Sequence, residues 1–274
     1  MPPLAVHVAC QGLLLEDVAN NEALGESAKV SSTNLRARKL GTLLQPPLLN
    51  GRSLGLPSYI VGLTGGSCSG KSTICRRLTA YAGDEVCIVD CDKLGHRAYQ
   101  EPDSPCWKDL VEAFGSCIIN ASDRSINRTK LGAIVFAESK VQLPRLNKIV
   151  WPHIRAMAMQ AIKETHASLV VLDAAVLLEA GWQDVCDEVW VAFASHEEQV
   201  HRICSRDGKT RAQAEQRLAG QMSSTERCAQ ANVAFCTDFE PEVTSEIVHK
   251  AFVALRARMS EHGALGTFQG TSRL

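Results

Sequence analysis

Gly65-Gly66-Ser67-Cys68-Ser69-Gly70-Lys71-Ser72-Thr73 decides how this chain is read. The stretch fits G-x-x-x-x-G-K-[S/T], and it lies between an apolar run, Tyr59 to Thr64, and an amphipathic segment, Gly70 to Tyr81. That strand-then-helix setting makes the motif credible as a phosphate-binding loop rather than a chance glycine-rich turn. Glycines let successive backbone N–H groups turn inward around phosphate oxygens. The helix that follows aims its positive end at the same anion. Lys71 is placed to reach the β- and γ-phosphates, and the Ser72 hydroxyl to hold Mg²⁺. The stretch predicts binding of a nucleoside triphosphate, ATP in the commonest case.

Outward from the loop, strands and helices alternate, which predicts an α/β fold with a parallel sheet covered by helices. Further strands are expected at Glu85 to Val89, Leu169 to Asp173, Glu188 to Phe193 and, briefly, Val233 to Phe235. Helices are expected near Trp107 to Phe114, Arg128 to Phe136 and Val141 to Thr165. Others are expected over 196–207, over 210–229, and from Pro241 to Met259. Residues 263–274 are expected to be unstructured.

Three groups of polar residues follow from this layout. Asp173 ends a buried strand, where a phosphate-loop protein places the carboxylate that supports Mg²⁺; the plainer reading is a helix cap. Asp90 and Asp92, in Ile88-Val89-Asp90-Cys91-Asp92, share one side if the strand continues through them. One of them is then suited to accept a proton from an attacking hydroxyl, with helix capping as the alternative. Arg202, Arg206, Arg211 and Arg217 suit a mobile lid that neutralises developing phosphoryl charge. Glu197, Glu198, Asp207 and Glu215 lie among them, so a solvated salt-bridged surface fits equally well. His153 stands alone, without a ligand-spaced partner.

The bulk properties exclude several classes. The chain has 274 residues, 45% hydrophobic and 22% charged, which excludes wholesale disorder and fibrous structure. Lys plus Arg number 29 against 30 acidic residues, a net charge of −1, and aromatics are 5%; neither favours nucleic acid. The eleven cysteines show no C-x-x-C pair, so they read as reduced small hydrophobes of a reducing compartment. The first basic residue is Lys29, and no run reaches the ~18 apolar residues of a membrane span, so the expectation is cytoplasmic. Residues 1–57 are broken by Asn20-Asn21, Pro46-Pro47 and Asn50-Gly51 and read as a linker or tail, with one helix over Thr33 to Leu44. Nothing in the sequence specifies an oligomeric state.

An ordered series of motifs over 58–262 resembles the dephospho-CoA kinases, in particular the kinase domain of the animal bifunctional CoA synthases. The series comprises Ile60-Val61-Gly62-Leu63-Thr64-Gly65, Val89-Asp90-Cys91-Asp92-Lys93-Leu94-Gly95-His96-Arg97, Asn127-Arg128-Thr129-Lys130, Trp151-Pro152-His153-Ile154 and Asp173-Ala174-Ala175-Val176-Leu177-Leu178-Glu179. The Arg202 to Gln221 stretch completes it. The resemblance implies transfer of the ATP γ-phosphate to the ribose 3′-hydroxyl of 3′-dephospho-CoA, giving CoA and ADP with Mg²⁺, on a phosphate-loop fold with helical acceptor-binding and lid regions. It implies Asp92 as base with Asp90 beside it, Arg206 as the lid arginine with Arg202, Arg211 and Arg217 around it, and Arg128 and His153 toward the acceptor. A small-molecule kinase acting on nucleosides is the related alternative, and a catalytically silent nucleotide- or CoA-binding scaffold the alternative from another class. Association with mitochondria is conceivable for an enzyme of CoA synthesis.

Residues 29–44, Lys29-Val30-Ser31-Ser32-Thr33-Asn34-Leu35-Arg36 through Leu40-Gly41-Thr42-Leu43-Leu44, resemble the end of a phosphopantetheine adenylyltransferase domain. The H-x-G-H motif of such transferases is absent, so the chain looks like a kinase-containing C-terminal fragment or shortened form. Trp151 and Ala174-Ala175 depart from many bacterial kinases of this kind, and no Asn follows the last strand at Phe235-Cys236-Thr237, which leaves the adenine contacts open.

Overall fold

The computed structural model describes residues 39–137 and 141–264. They fall into two compact units, one built from the chain up to Ile88 and again from His166, the other from Val89–Thr165. Residues 1–38 and 265–274, which carry half of the helix expected over 33–44 and most of the unstructured end expected over 263–274, lie outside the described residues.

The strands are β1 (Tyr59–Thr64), β2 (Val86–Asp90), β3 (Leu169–Asp173), β4 (Glu188–Phe193) and β5 (Val233–Cys236). The described helices are α1 (Asn50–Ser53), α2 (Lys71–Ala82), α3 (Cys91–Arg97), α4 (Pro105–Phe114), α5 (Arg128–Ala137), α6 (Gln142–Glu164), α7 (His196–Asp207), α8 (Arg211–Ala219), α9 (Ser224–Cys228) and α10 (Pro241–Glu261).

In the first unit the sheet order is β2-β3-β1-β4-β5. β1 pairs in parallel with β3 and β4, and β4 pairs in parallel with β5. Every residue of β1 and β4 is buried, as the unbroken apolar runs require of a sheet covered on both faces. Tyr59, Val61 and Leu63 point with Val171, Trp190, Ala192 and Phe235 into a core completed by Ile74 and Leu78 of α2 and Val248, Phe252 and Leu255 of α10. The Trp190 and Phe235 rings meet at 5.1 Å and 46°.

Two buried carboxylates at the start of β4 are fully occupied. Glu188 accepts from Tyr59 Oη (2.9 Å), Trp190 Nε1 (2.7 Å), and Arg258 Nε and Nη2 (2.6 and 2.9 Å). Burial, before the Glu188 charge beside it, pushes the Tyr59 hydroxyl up. Asp187 accepts from the Ile60 and Arg52 amides, both at 2.8 Å.

The described part of the N-terminal segment packs on this unit. Gly41 N–H and Leu44 N–H donate to Ala234 and Asn232 carbonyls of the β5 strand region, and Leu43 forms an antiparallel bridge to Val233. Gly41 takes φ 69, so no helix continues to Leu44 as the leucine spacing suggested.

The second unit is helical. Trp107 Nε1 donates to Arg124 O (2.9 Å), and the Arg124 guanidinium lies 5.5 Å from the Trp107 ring. α6 carries Pro152 internally. Two expectations fail. The chain leaves β2 at Asp90 and enters α3 at once, so the strand does not continue through Asp92. The helix expected over 210–229 is two, because Gly220 ends α8 and Ser223 opens α9 with a capping box to Glu226. No described helix is long and apolar enough to cross a membrane. Among the described residues six of the ten cysteines are buried.

Candidate active site

Backbone sterics shape the phosphate loop. A Cβ on Gly65 would lie 2.3 Å from Ala192 O and 2.4 Å from Ser69 Oγ, and one on Gly70, at φ 90, would meet Thr237 at 2.7 Å. Only glycine fits either place. Cys68 takes φ 57 between them, a conformation uncommon for a side-chain-bearing residue. Among the described residues no acceptor takes the amide N–H groups of Cys68, Gly70 or Ser72, while Lys71 Nζ folds back to Gly65 O at 2.9 Å. Ser69 Oγ is buried without a hydrogen-bond partner. Unsatisfied amides and an orphaned hydroxyl, at the N-terminus of α2, form an anion cradle.

Asp173 and Ser72 approach this cradle through Cys75. Cys75 stands three residues beyond Ser72, on the same side of α2, and its thiol reaches Asp173 Oδ2 at 3.6 Å. The end of β3 therefore meets the first turns of α2. A serine hydroxyl with one carboxylate suits Mg²⁺, which keeps waters and phosphate oxygens as its other ligands. Among the described residues no cluster of three or more His, Cys, Asp or Glu offers an all-protein metal cage.

The four candidate arginines separate in the structure. Arg202 bridges elements: Nε donates to Glu198 (2.7 Å), Nη1 to Cys68 O (3.2 Å) and Thr237 Oγ1 (2.9 Å), and Nη2 to Thr237 O (2.6 Å). Arg206 pairs bidentately with Asp207 (2.7 and 3.0 Å), and Arg217 donates to the same carboxylate (2.8 Å) and to Ser67 Oγ (3.0 Å). The Arg206 hydrogen bonds hold Asp207 below the usual carboxylate range. Arg211 pairs on the surface with Glu197 and Glu215.

Several residues at the loop were not singled out from the sequence. Gln199, buried on α7, donates to Ser67 O at 3.0 Å. Gln221 accepts from Ser67 N–H (2.9 Å) and donates to Ser67 Oγ (2.8 Å). Thr237 Oγ1 donates to Ser69 O at 3.0 Å. Buried Arg227 donates to Glu179, Thr64 Oγ1 and Ala175 O. The available signal was a polar Gln199 beside Val200 and Ile203 on an otherwise apolar helix face.

Asp90, Asp92, Arg128 and His153 belong to the second unit. Asp90 caps α3, accepting from Lys93 N–H at 2.9 Å and pairing with Lys93 Nζ at 3.0 Å. Burial pushes its carboxyl up, but the Lys93 bonds outweigh this and set it below the ordinary value. Asp92 is exposed in the first turn of α3 rather than on the strand, so the alternation expected of the pair does not apply. The strand stops because the Asp90 side chain captures the Lys93 amide and starts a helix. Arg128 lies beside the Tyr99 hydroxyl, which burial raises and Arg128 partly lowers. His153 Nε2 lies 2.8 Å from Asp109 Oδ2.

The comparisons with known proteins agree with this architecture. The family model described as dephospho-CoA kinase matches residues 59–239. A dephospho-CoA kinase of Geobacter sulfurreducens is 40% identical over 186 residues, covering 67% of this chain and 91% of the relative. One from Syntrophus aciditrophicus is 32% identical over 215 residues, covering 76% and 89%. A crystal structure from Thermus thermophilus superposes with a TM-score of 0.61 at 26% identity, covering 74% of this chain and 98% of that one.

Proposed function

This chain belongs to the dephospho-CoA kinase family, and we propose on that premise that it transfers the γ-phosphoryl group of ATP to the ribose 3′-hydroxyl of 3′-dephospho-CoA, giving CoA and ADP. The observation that carries the reading is the phosphate loop inside the matched region, with open amides at Cys68, Gly70 and Ser72 and Lys71 folded across it.

In this reading the loop from Gly65 to Thr73 holds the triphosphate. Lys71 leaves Gly65 O to bind the β- and γ-phosphate oxygens. Ser72 and Asp173 would hold Mg²⁺, which would supply positive charge to offset that of the triphosphate. Asp92 accepts the proton of the 3′-hydroxyl, with Asp90 ordering the turn that carries it. Arg206 leaves Asp207 for the transferring phosphoryl group, with Arg202, Arg211 and Arg217 around it, and Arg128 and His153 bind the acceptor. At the finer level, we read the kinase region as resembling that of the animal bifunctional CoA synthases, and residues 29–44 as related to the end of an adenylyltransferase domain.

The test is ADP release by the purified protein with Mg-ATP, with and without 3′-dephospho-CoA, with pantetheine and nucleosides as control acceptors. Turnover dependent on dephospho-CoA supports the kinase. ATP binding without acceptor-stimulated ADP release favours a nucleotide-binding scaffold, and a response to nucleosides favours a different acceptor.

A further inference from the structure

Ser67 is gripped on every side but one. Its N–H donates to Gln221 Oε1 at 2.9 Å, and its carbonyl accepts from Gln199 Nε2 at 3.0 Å. Its hydroxyl oxygen accepts from both Gln221 Nε2, at 2.8 Å, and Arg217 Nε, at 3.0 Å. A serine hydroxyl has two acceptor lone pairs and one O–H. Both lone pairs are filled, one of them by a guanidinium, so the remaining capacity of the side chain is to donate its proton. Among the described residues nothing accepts it. Donors feeding both lone pairs, one cationic, polarise the O–H and strengthen it as a donor.

The backbone differs here from the rest of the loop. At Cys68, Gly70 and Ser72 the amide is open to an anion, whereas at Ser67 it is consumed by Gln221. The loop therefore offers backbone donors along its α2 side and, at Ser67, a side-chain donor in place of the amide. That residue is also met by Gln199 of α7, Arg217 of α8 and Gln221 just beyond it, while Arg202 of α7 reaches the neighbouring Cys68 O.

We propose that Ser67 is a further catalytic residue, whose hydroxyl donates a hydrogen bond to a non-bridging oxygen of the ATP γ-phosphoryl group, held in position by Gln221 and Arg217. The proposal rests on the reading of the loop as the ATP site. In the reaction a bond forms between the ribose 3′-oxygen and the γ-phosphorus, and the bond from that phosphorus to the β,γ-bridging oxygen breaks. The acceptor proton passes to Asp92, and Ser67 keeps its own proton throughout. A fixed donor aimed at oxygens that gather charge acts mainly on the transition state. Because ADP lacks the γ-phosphoryl group, Ser67 also favours ATP over ADP.

The experiment compares ATP and ADP affinities, by competition against a fluorescent ADP, and kcat with dephospho-CoA, for the wild type, Ser67→Ala, Ser67→Thr and Gln221→Ala. Ser67→Ala is expected to lose about tenfold in ATP-over-ADP preference and about 10²-fold in kcat, with ADP affinity near wild type. Ser67→Thr, which keeps the hydroxyl, is expected to restore both to within about threefold of wild type. Gln221→Ala keeps the hydroxyl and loses one grip, and is expected to retain most of the ATP preference. Equal loss of ATP and ADP affinity in Ser67→Ala would show a residue that only braces the loop and would overturn the proposal, as would unchanged preference and kcat. Should the wild type release no ADP with dephospho-CoA, the functional reading fails, while the ATP-over-ADP comparison still decides Ser67.

Discussion

Arg227 sets both terminal nitrogens of its guanidinium on the Glu179 carboxylate, at 2.5 and 3.2 Å, with only 2% of its surface exposed. The same group reaches Thr64 Oγ1 and Ala175 O, so it ties the end of β1 to the segment after β3. Removing Glu179 strands a buried cation. Glu179→Ala is expected to cost about 3 kcal/mol by urea unfolding, and Arg227→Met distinctly less. A Glu179→Ala loss under about 1 kcal/mol would mean the pair is not a structural tie.

Lys71 folds across the loop to Gly65 O and lies beside the open amides. Lys71→Met is expected to lower kcat by about 10²–10³-fold while leaving the unfolding midpoint little changed. Steady-state kinetics with circular dichroism on the same preparation checks both halves.

Asp90 and Asp92 are two residues apart, and the proposed mechanism gives them different tasks. Asp90→Ala removes the cap of α3 and is expected to cost about 1 kcal/mol of stability. Asp92→Asn is expected to leave stability and ATP affinity near wild type and to lower kcat by about 10²–10⁴-fold, the range for a lost general base. Unchanged turnover in Asp92→Asn would remove it from the mechanism.

The proposed roles of Ser72 and Asp173 as Mg²⁺ ligands make metal dependence an expected outcome. Excess EDTA is expected to abolish turnover and Mg²⁺ to restore it. Asp173→Asn is expected to raise the half-saturating Mg²⁺ concentration by about tenfold or more, measured by titrating the rate at fixed ATP.

Acid should loosen the fold. Hydrogen bonds, from Arg206 at Asp207, Arg211 at Glu197 and Ser223 at Glu226, hold these carboxyls below their ordinary values, and Lys93 does so at Asp90 against burial. A depressed folded-state pKa gives stability that is present above the unfolded value and lost as pH falls through the folded one. Burial raises Asp187 instead, and its contribution has the opposite sign. The thermal midpoint is therefore expected to be level near neutrality and to fall below about pH 4. Asp187→Asn should steepen that fall, and a shallower slope would reverse the assignment; calorimetry across the acid range reads both.

Much of this was legible in the sequence because hydrophobic period and punctuation agreed. β1, β3 and β4 fall where unbroken apolar runs end at Thr64, Asp173 and Phe193. The loop was legible for the same reason, as its glycines answer local sterics. What escaped were features decided by a single side-chain capture. Ser223 with Glu226 divides one expected helix into two, whereas the cap that Asp90 places on α3 by taking the Lys93 amide was the alternative the sequence left open. The partners of Ser67 escaped for a different reason: Gln199 and Gln221 lie more than 130 residues away in the chain, and only the fold brings them to the loop.

The stretch from Gly41 to Leu44 precedes the matched region, yet it lies along β5, the outer strand of the sheet, and occupies its hydrogen-bonding groups at Asn232 and Ala234. A bare outer strand is a template for pairing with another chain. That short antiparallel bridge is thus a guard against self-association, contributed by a part of the chain that supplies none of the phosphate loop. A protein trimmed to begin at Ser58 would keep its nucleotide loop and lose its protection from aggregation.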